Sequence, residues 1–170
     1  MKLSKKYLFF MILSIVLAIA INGYIIMHSC LNATESSKAS AGVTDLIKNF
    51  INFFKHDAIN DSNYGSFSTF IRKAFGHFGL FAVSGLLTSL AIYLSLSPYS
   101  WCKPYINVMF SLAFGLFMGL LTEIIQLGVP GRSGEITDVL IDFSGYLVGT
   151  FIMGLILFLV IRKLRKNKRA

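Results

Sequence analysis

The chain has 170 residues, of which 55% are hydrophobic, 14% aromatic and only 14% charged, with a formal net charge of +8. A soluble domain carries about 25% charged residues, and the apolar residues here form four runs each long enough to cross a hydrocarbon core about 30 Å thick at about 1.5 Å per residue. This excludes an ordinary soluble enzyme, a nucleic-acid-binding domain and a disordered chain. Six of the sixteen basic residues fall in the last nine positions, so the charge reads as membrane topology.

The first predicted element is a transmembrane helix over 7–27, preceded by Lys2, Lys5 and Lys6. A signal peptide also opens on basic residues and an apolar run, but this run is long for one, and an uncleaved helix is expected. An extracytoplasmic loop over 28–73 follows. Its start, Asn32 to Ser40, is rich in Ser and Ala and reads as flexible. Val43, Leu46, Ile47, Phe50, Ile51 and Phe54 then recur at helical spacing, with Lys48, Asn49, Asn52 and Lys55 on the other face. That is an amphipathic helix, lying on the outer leaflet or packed on the top of the bundle. Asn60, Asp61, Ser62, Asn63 and Gly65 form a turn. Further spans are predicted over 74–96, 105–128 and 138–161, ending in a basic tail over 162–170. The expected fold is therefore an all-α integral membrane bundle of four transmembrane helices.

Four spans put both termini on one side. That side holds ten basic residues, counting Lys103 in the short loop between spans two and three, and no acid. The opposite side holds Lys38, Lys48, Lys55, Arg72, Lys73 and Arg132, offset by Glu35, Asp45, Asp57, Asp61 and Glu135. Basic residues collect in the cytoplasm, so both termini are expected there. Tyr99, Trp101 and Tyr105 read as an interfacial aromatic belt. Cys30 and Cys102 then fall on opposite sides and cannot pair. The chain has no CxxC and no Cys/His metal spacing, and no cofactor is implied. His28 and His56 read as surface residues of the outer loop.

Ionisable groups inside apolar spans cost several kcal/mol on insertion scales, roughly 3 at the centre, so each calls for a reason. His77 lies early in span two, Glu123 late in span three with Gln126 beyond it, and Asp138 and Asp142 at the head of span four. Arg132 is in the loop Val129-Pro130-Gly131-Arg132-Ser133-Gly134. The orientation above puts all six near the outer face. Glu123 is roughly 9 Å below the loop and Asp142 roughly 6 Å at helical rise, and spans three and four, joined by a short loop, must be neighbours. Glu123 and Gln126 share a face at i, i+3, and Asp138 and Asp142 share one at i, i+4. Gly115 with Gly119, and Gly145 with Gly149, are small-xxx-small pairs for close helix packing.

These residues carry a resemblance. The run from Glu123 through Gln126, Pro130, Gly131, Arg132, Asp138, Asp142 and Gly145 to Gly149 resembles the VanZ-like family, as does Arg72-Lys73-Ala74-Phe75-Gly76-His77-Phe78 upstream. The likeness covers about residues 70 to 160. Members often have an acid where this chain has Thr122, and another where it has Leu80; both changes lower the negative charge of the cluster. The resemblance implies a small multi-pass protein of the bacterial plasma membrane, of a family named for a member tied to reduced teicoplanin susceptibility. It leaves the biochemical activity open.

Three readings follow. His77, Glu123, Gln126, Arg132, Asp138 and Asp142 can form an outer-leaflet site that binds a polar headgroup, with membrane lipids, a lipid-linked cell-wall precursor or a lipoglycopeptide antibiotic as partners; arginine suits phosphate and carboxylate through its planar fork. Alternatively, His77 with Glu123, Asp138 and Asp142 serve a membrane-embedded hydrolase or transferase as general acid/base groups or cation ligands. Against an enzyme, no strong metal motif and no placed nucleophile is present. Third, Arg132 neutralises an acid and the cluster only fixes the hairpin. No reading involves nucleic acid.

Overall fold

A computed structural model describes residues 3–99 and 104–167, and the elements among them are helices. They are α1 (Lys5–Ser29), α2 (Ala33–Phe54), α3 (Tyr64–Leu96), α4 (Pro104–Leu127) and α5 (Ile136–Asn167). All but α2 are long and apolar enough to cross a membrane, and the chain is a multi-pass membrane protein. Lys2, Trp101, Cys102, Lys103, Lys168 and Arg169 lie outside the described residues. Cys30 is a free, exposed thiol.

Ser4 caps α1 by accepting the Tyr7 N–H at 3.2 Å. Ser14, Ala18, Asn22, Ile25 and Ser29 are its buried residues, a stripe at helical spacing that packs on α3. Asn22 fastens the contact. Its Nδ2 donates to Thr88 Oγ1 at 3.0 Å and its Oδ1 accepts from Ser84 Oγ at 2.8 Å. Such bonds between helices in lipid are worth about 0.6–2 kcal/mol. The first apolar run is thus built into the bundle.

The segment expected to be flexible is helical instead. Asn32 and Glu35 form a reciprocal capping box, 2.9 Å and 3.1 Å, which starts α2 at Ala33. Ser40 and Thr44 return their hydroxyls to carbonyls one turn back, so these two polar side chains are met within the helix. Ser36 and Thr44 are the buried residues of α2, and Leu46, Phe50, Phe53 and Phe54 on another side are each more than 60% exposed.

Span two also departs from its expected limits. Hydropathy breaks at Arg72 and Lys73, but the helix runs from Tyr64, taking in Gly65 that was read as turn. Arg72–Gly79 is a π-helical segment inside it. The wider turn absorbs one residue. Ile71 before the segment, His77 within it and Phe81, Ser84 and Thr88 after it therefore keep one buried side. The turn that precedes α3 is held by Asn side chains: Asn63 Oδ1 accepts the Asn60 N–H at 2.9 Å, and Asn52 bonds both backbone groups of Ile59 at 2.8 Å.

Gly145 and Gly149 of α5 lie against α3. The most extensive contacts of α5 are with α3, not with its hairpin partner α4. A Cβ on Gly145 would strike the Phe78 carbonyl and one on Gly149 the Ala82 carbonyl, while Gly85 lies equally close to the Tyr146 carbonyl. Gly115 on α4 makes room for the fully buried Tyr146 ring. Gly119 is looser, with an added Cβ 3.6 Å from Asp142 Cβ. Ser89, Ser111, Thr150 and the Tyr146 hydroxyl join α3, α4 and α5 in one hydrogen-bonded group of buried and part-buried residues.

Candidate functional site

At the end of the bundle near the α4–α5 loop, three helices aim polar side chains at one point. The π-helical part of α3 presents His77. Its Nδ1 is 3.0 Å from Asp142 Oδ1 and its Nε2 is 3.7 Å from Asp138 Oδ2. Asp138 and Asp142 are one turn apart on α5, so one imidazole meets both carboxylates. Glu123 comes from α4. Its Oε1 accepts from Gln126 Nε2 at 3.1 Å and its Oε2 from the Glu135 backbone N–H at 2.9 Å. Glu123 thereby caps the start of α5, where unpaired N–H groups and the helix dipole favour a negative charge. Ligand atoms of His77, Glu123 and Asp142 all lie within 4.8 Å of one another.

Lys73 Nζ donates to Asp138 Oδ1 and, at 3.2 Å, to Glu135 Oε2. This bond holds the Glu135 carboxyl below the usual carboxylate range. Asp142 has no such cation. It is fully buried and its Oδ2 has no hydrogen-bond partner among the described residues. A buried carboxylate oxygen left so costs free energy unless a proton or cation meets it.

Arg132 stands on a type II turn. The Arg132 N–H bonds Val129 O at 3.1 Å, Pro130 takes the position that its ring fixes, and Gly131 has φ +73°, which side-chain-bearing residues rarely adopt. Ala33 at the head of α2 rests on this turn through the Pro130 carbonyl. The Arg132 side chain is half-buried, and Nη1 is buried with no hydrogen-bond partner among the described residues. Burial, then the charge of Arg72, hold its guanidinium below the ordinary arginine range. Arg132 lines a cavity of about 290 Å³ between α1, α2, α3 and α4. His77, Asp142, Gln126 and Thr122 make one polar part of the wall; Ile25, Ile71, Phe75, Leu80 and Phe81 make the apolar part. Ser36, Ala39, Ser40 and Val43 of α2 close it from another side.

The six residues singled out from the sequence therefore lie together: five in the buried cluster and Arg132 at the cavity beside it. Three others escaped the sequence reading. Lys73, counted there as a loop charge, is the cation paired with Asp138, a role that the third reading gave to Arg132. Its place one turn before His77 was the available signal. Arg72 and His28 line the cavity, so His28 is more than a loop surface residue. Nothing in the spacing announces that, because α1 and α3 meet only in three dimensions.

A family model described as VanZ/LLP1 matches residues 9–160 of the chain. No curated protein and no solved structure matches it.

Proposed function

The chain belongs to the VanZ/LLP1 family, and from that premise we propose that it modulates susceptibility to glycopeptide and lipoglycopeptide antibiotics of the teicoplanin type by holding an anionic headgroup at the outer leaflet. The observation that carries this reading is the buried Nη1 of Arg132, without a hydrogen-bond partner among the described residues, beside a cavity with both polar and apolar stretches of wall. A guanidinium at a half-buried site gains from a carboxylate or phosphate, because two of its N–H groups can engage two oxygens at once. The apolar wall gives the first part of a lipid tail a place out of water. A lipid-linked cell-wall precursor or the drug itself has this chemistry. With both termini in the cytoplasm of a bacterium, the cavity faces the outer leaflet, where either ligand is found.

The test is expression in a sensitive bacterium of the wild type, Arg132→Ala and Arg132→Lys, with protein level and drug susceptibility both measured. Arg132→Ala should keep the protein level and lose the effect on susceptibility. Lysine keeps the charge without the fork and should restore little. Full protection by Arg132→Lys at full protein level would remove the headgroup reading and leave simple neutralisation.

A further inference from the structure

We propose that His77, Glu123 and Asp142 form a zinc site at the polar wall of the cavity. The donor atoms come from three different helices and lie within 4.8 Å of one another. For atoms so spaced there is a point no more than about 2.8 Å from each, and zinc bonds to imidazole and carboxylate are about 2.0–2.2 Å. Drawing in by less than about an ångström is within reach of side-chain rotation. The residue types are one imidazole and two carboxylates, both donor types that zinc takes, in a number that leaves one position open. Magnesium also binds through one or two carboxylates and several waters, but the imidazole ligand favours zinc over magnesium and calcium.

Two further observations point to the ion. Asp142, a residue of the cavity wall, is fully buried, and its Oδ2 is an acceptor with no hydrogen-bond partner among the described residues. Of the other two ligands, Glu123 is held from behind by hydrogen bonds, as ligands of a metal are, and His77 has a carboxylate behind it at ion-pair distance. Asp138, itself fixed by Lys73, stands 3.7 Å from the far nitrogen of His77. Gln126 and the Glu135 N–H fix Glu123. Two carboxylates this close in a buried place repel unless a cation or a shared proton lies between them. His77 and Asp142 also line the cavity, so the open coordination position is turned toward whatever the cavity holds. The site stands on helix geometry and does not depend on the headgroup reading.

The test uses full-length protein in detergent, stripped with a chelator and titrated with Zn²⁺, and separately with Co²⁺ as a coloured stand-in. Wild type should bind one equivalent tightly, and its Co²⁺ form should show the intense visible bands of four-coordination. Asp142→Asn should weaken zinc binding by at least about 100-fold, and Asp138→Asn by about 10- to 100-fold, as expected for a residue behind a ligand. His56→Ala, at an exposed residue in the turn after α2 that does not line the cavity, should bind as wild type does. No uptake by wild type, equal affinity in Asp142→Asn, or the weak bands of octahedral Co²⁺ would each overturn the site and leave a shared proton as the explanation. Should Asp142→Asn fail to fold, the wild-type Co²⁺ spectrum decides alone.

Discussion

Lys73 and Arg132 carry the same charge and do different things. Lys73 spends its charge on Asp138 and Glu135, so its value is structural. Replacing it with methionine keeps the stem and strands a mostly buried carboxylate. The variant should lose about 2 kcal/mol, below the roughly 3–5 kcal/mol for breaking a fully buried pair because Lys73 is partly exposed. The double change Lys73→Met with Asp138→Asn should recover most of the loss, and unfolding midpoints in detergent measure both. An equal loss in the double variant would mean that the pair is not what holds this end of the bundle. Arg132, with an unpartnered nitrogen, should cost little stability when replaced by alanine and is the residue where function and fold separate.

At the scale of elements, the glycines divide by what stands opposite each. Gly149→Ala puts a methyl against the Ala82 carbonyl, backbone that cannot swing aside. It should force α3 and α5 apart at a cost of about 1–3 kcal/mol or more. Gly119→Ala meets Asp142 Cβ and Val139 at ordinary contact distance and should fall within about 0.5 kcal/mol of wild type. Equal losses at the two would contradict the close α3–α5 approach. Asn22→Ala removes the bridge from α1 to Ser84 and Thr88 and should cost about 1 kcal/mol in the same assay. The π-helical segment has a comparable role. Deleting one residue between Arg72 and Gly79 would restore a regular helix and turn either Ile71 or His77 off the buried side.

For the molecule as a whole, the strongest expectation is topology. Both termini should lie in the cytoplasm, because ten basic residues and no acid fall on that side. A single-cysteine labelling scan in a Cys30- and Cys102-free background checks it: residue 61 should label from outside and residue 165 only from inside. The opposite pattern would invert the protein and place the cavity at the inner leaflet. The exposed stripe of Leu46, Phe50, Phe53 and Phe54 on α2 lies beside this cavity's end of the bundle and would, in the expected orientation, rest in the outer leaflet.

The sequence by itself determined the helical class and the four spans, because an unbroken apolar run in lipid can satisfy its backbone only as a helix. It also picked out His77, Glu123, Gln126, Asp138 and Asp142, since a polar group in such a run stands out against its neighbours. Where charges interrupted the pattern it misled: Arg72 and Lys73 looked like a loop but are two residues of one long helix, and the serines after Asn32 hid a capped helix whose polar groups bond to its own backbone. Only the tertiary structure decided which helix α5 packs on, which cation neutralises Asp138, and that His28 and α2 wall the cavity. Those outcomes depend on how four helices rotate about their axes and on the single-residue shift of a π turn. The period of a sequence fixes which residues share a face, not which neighbour that face will meet.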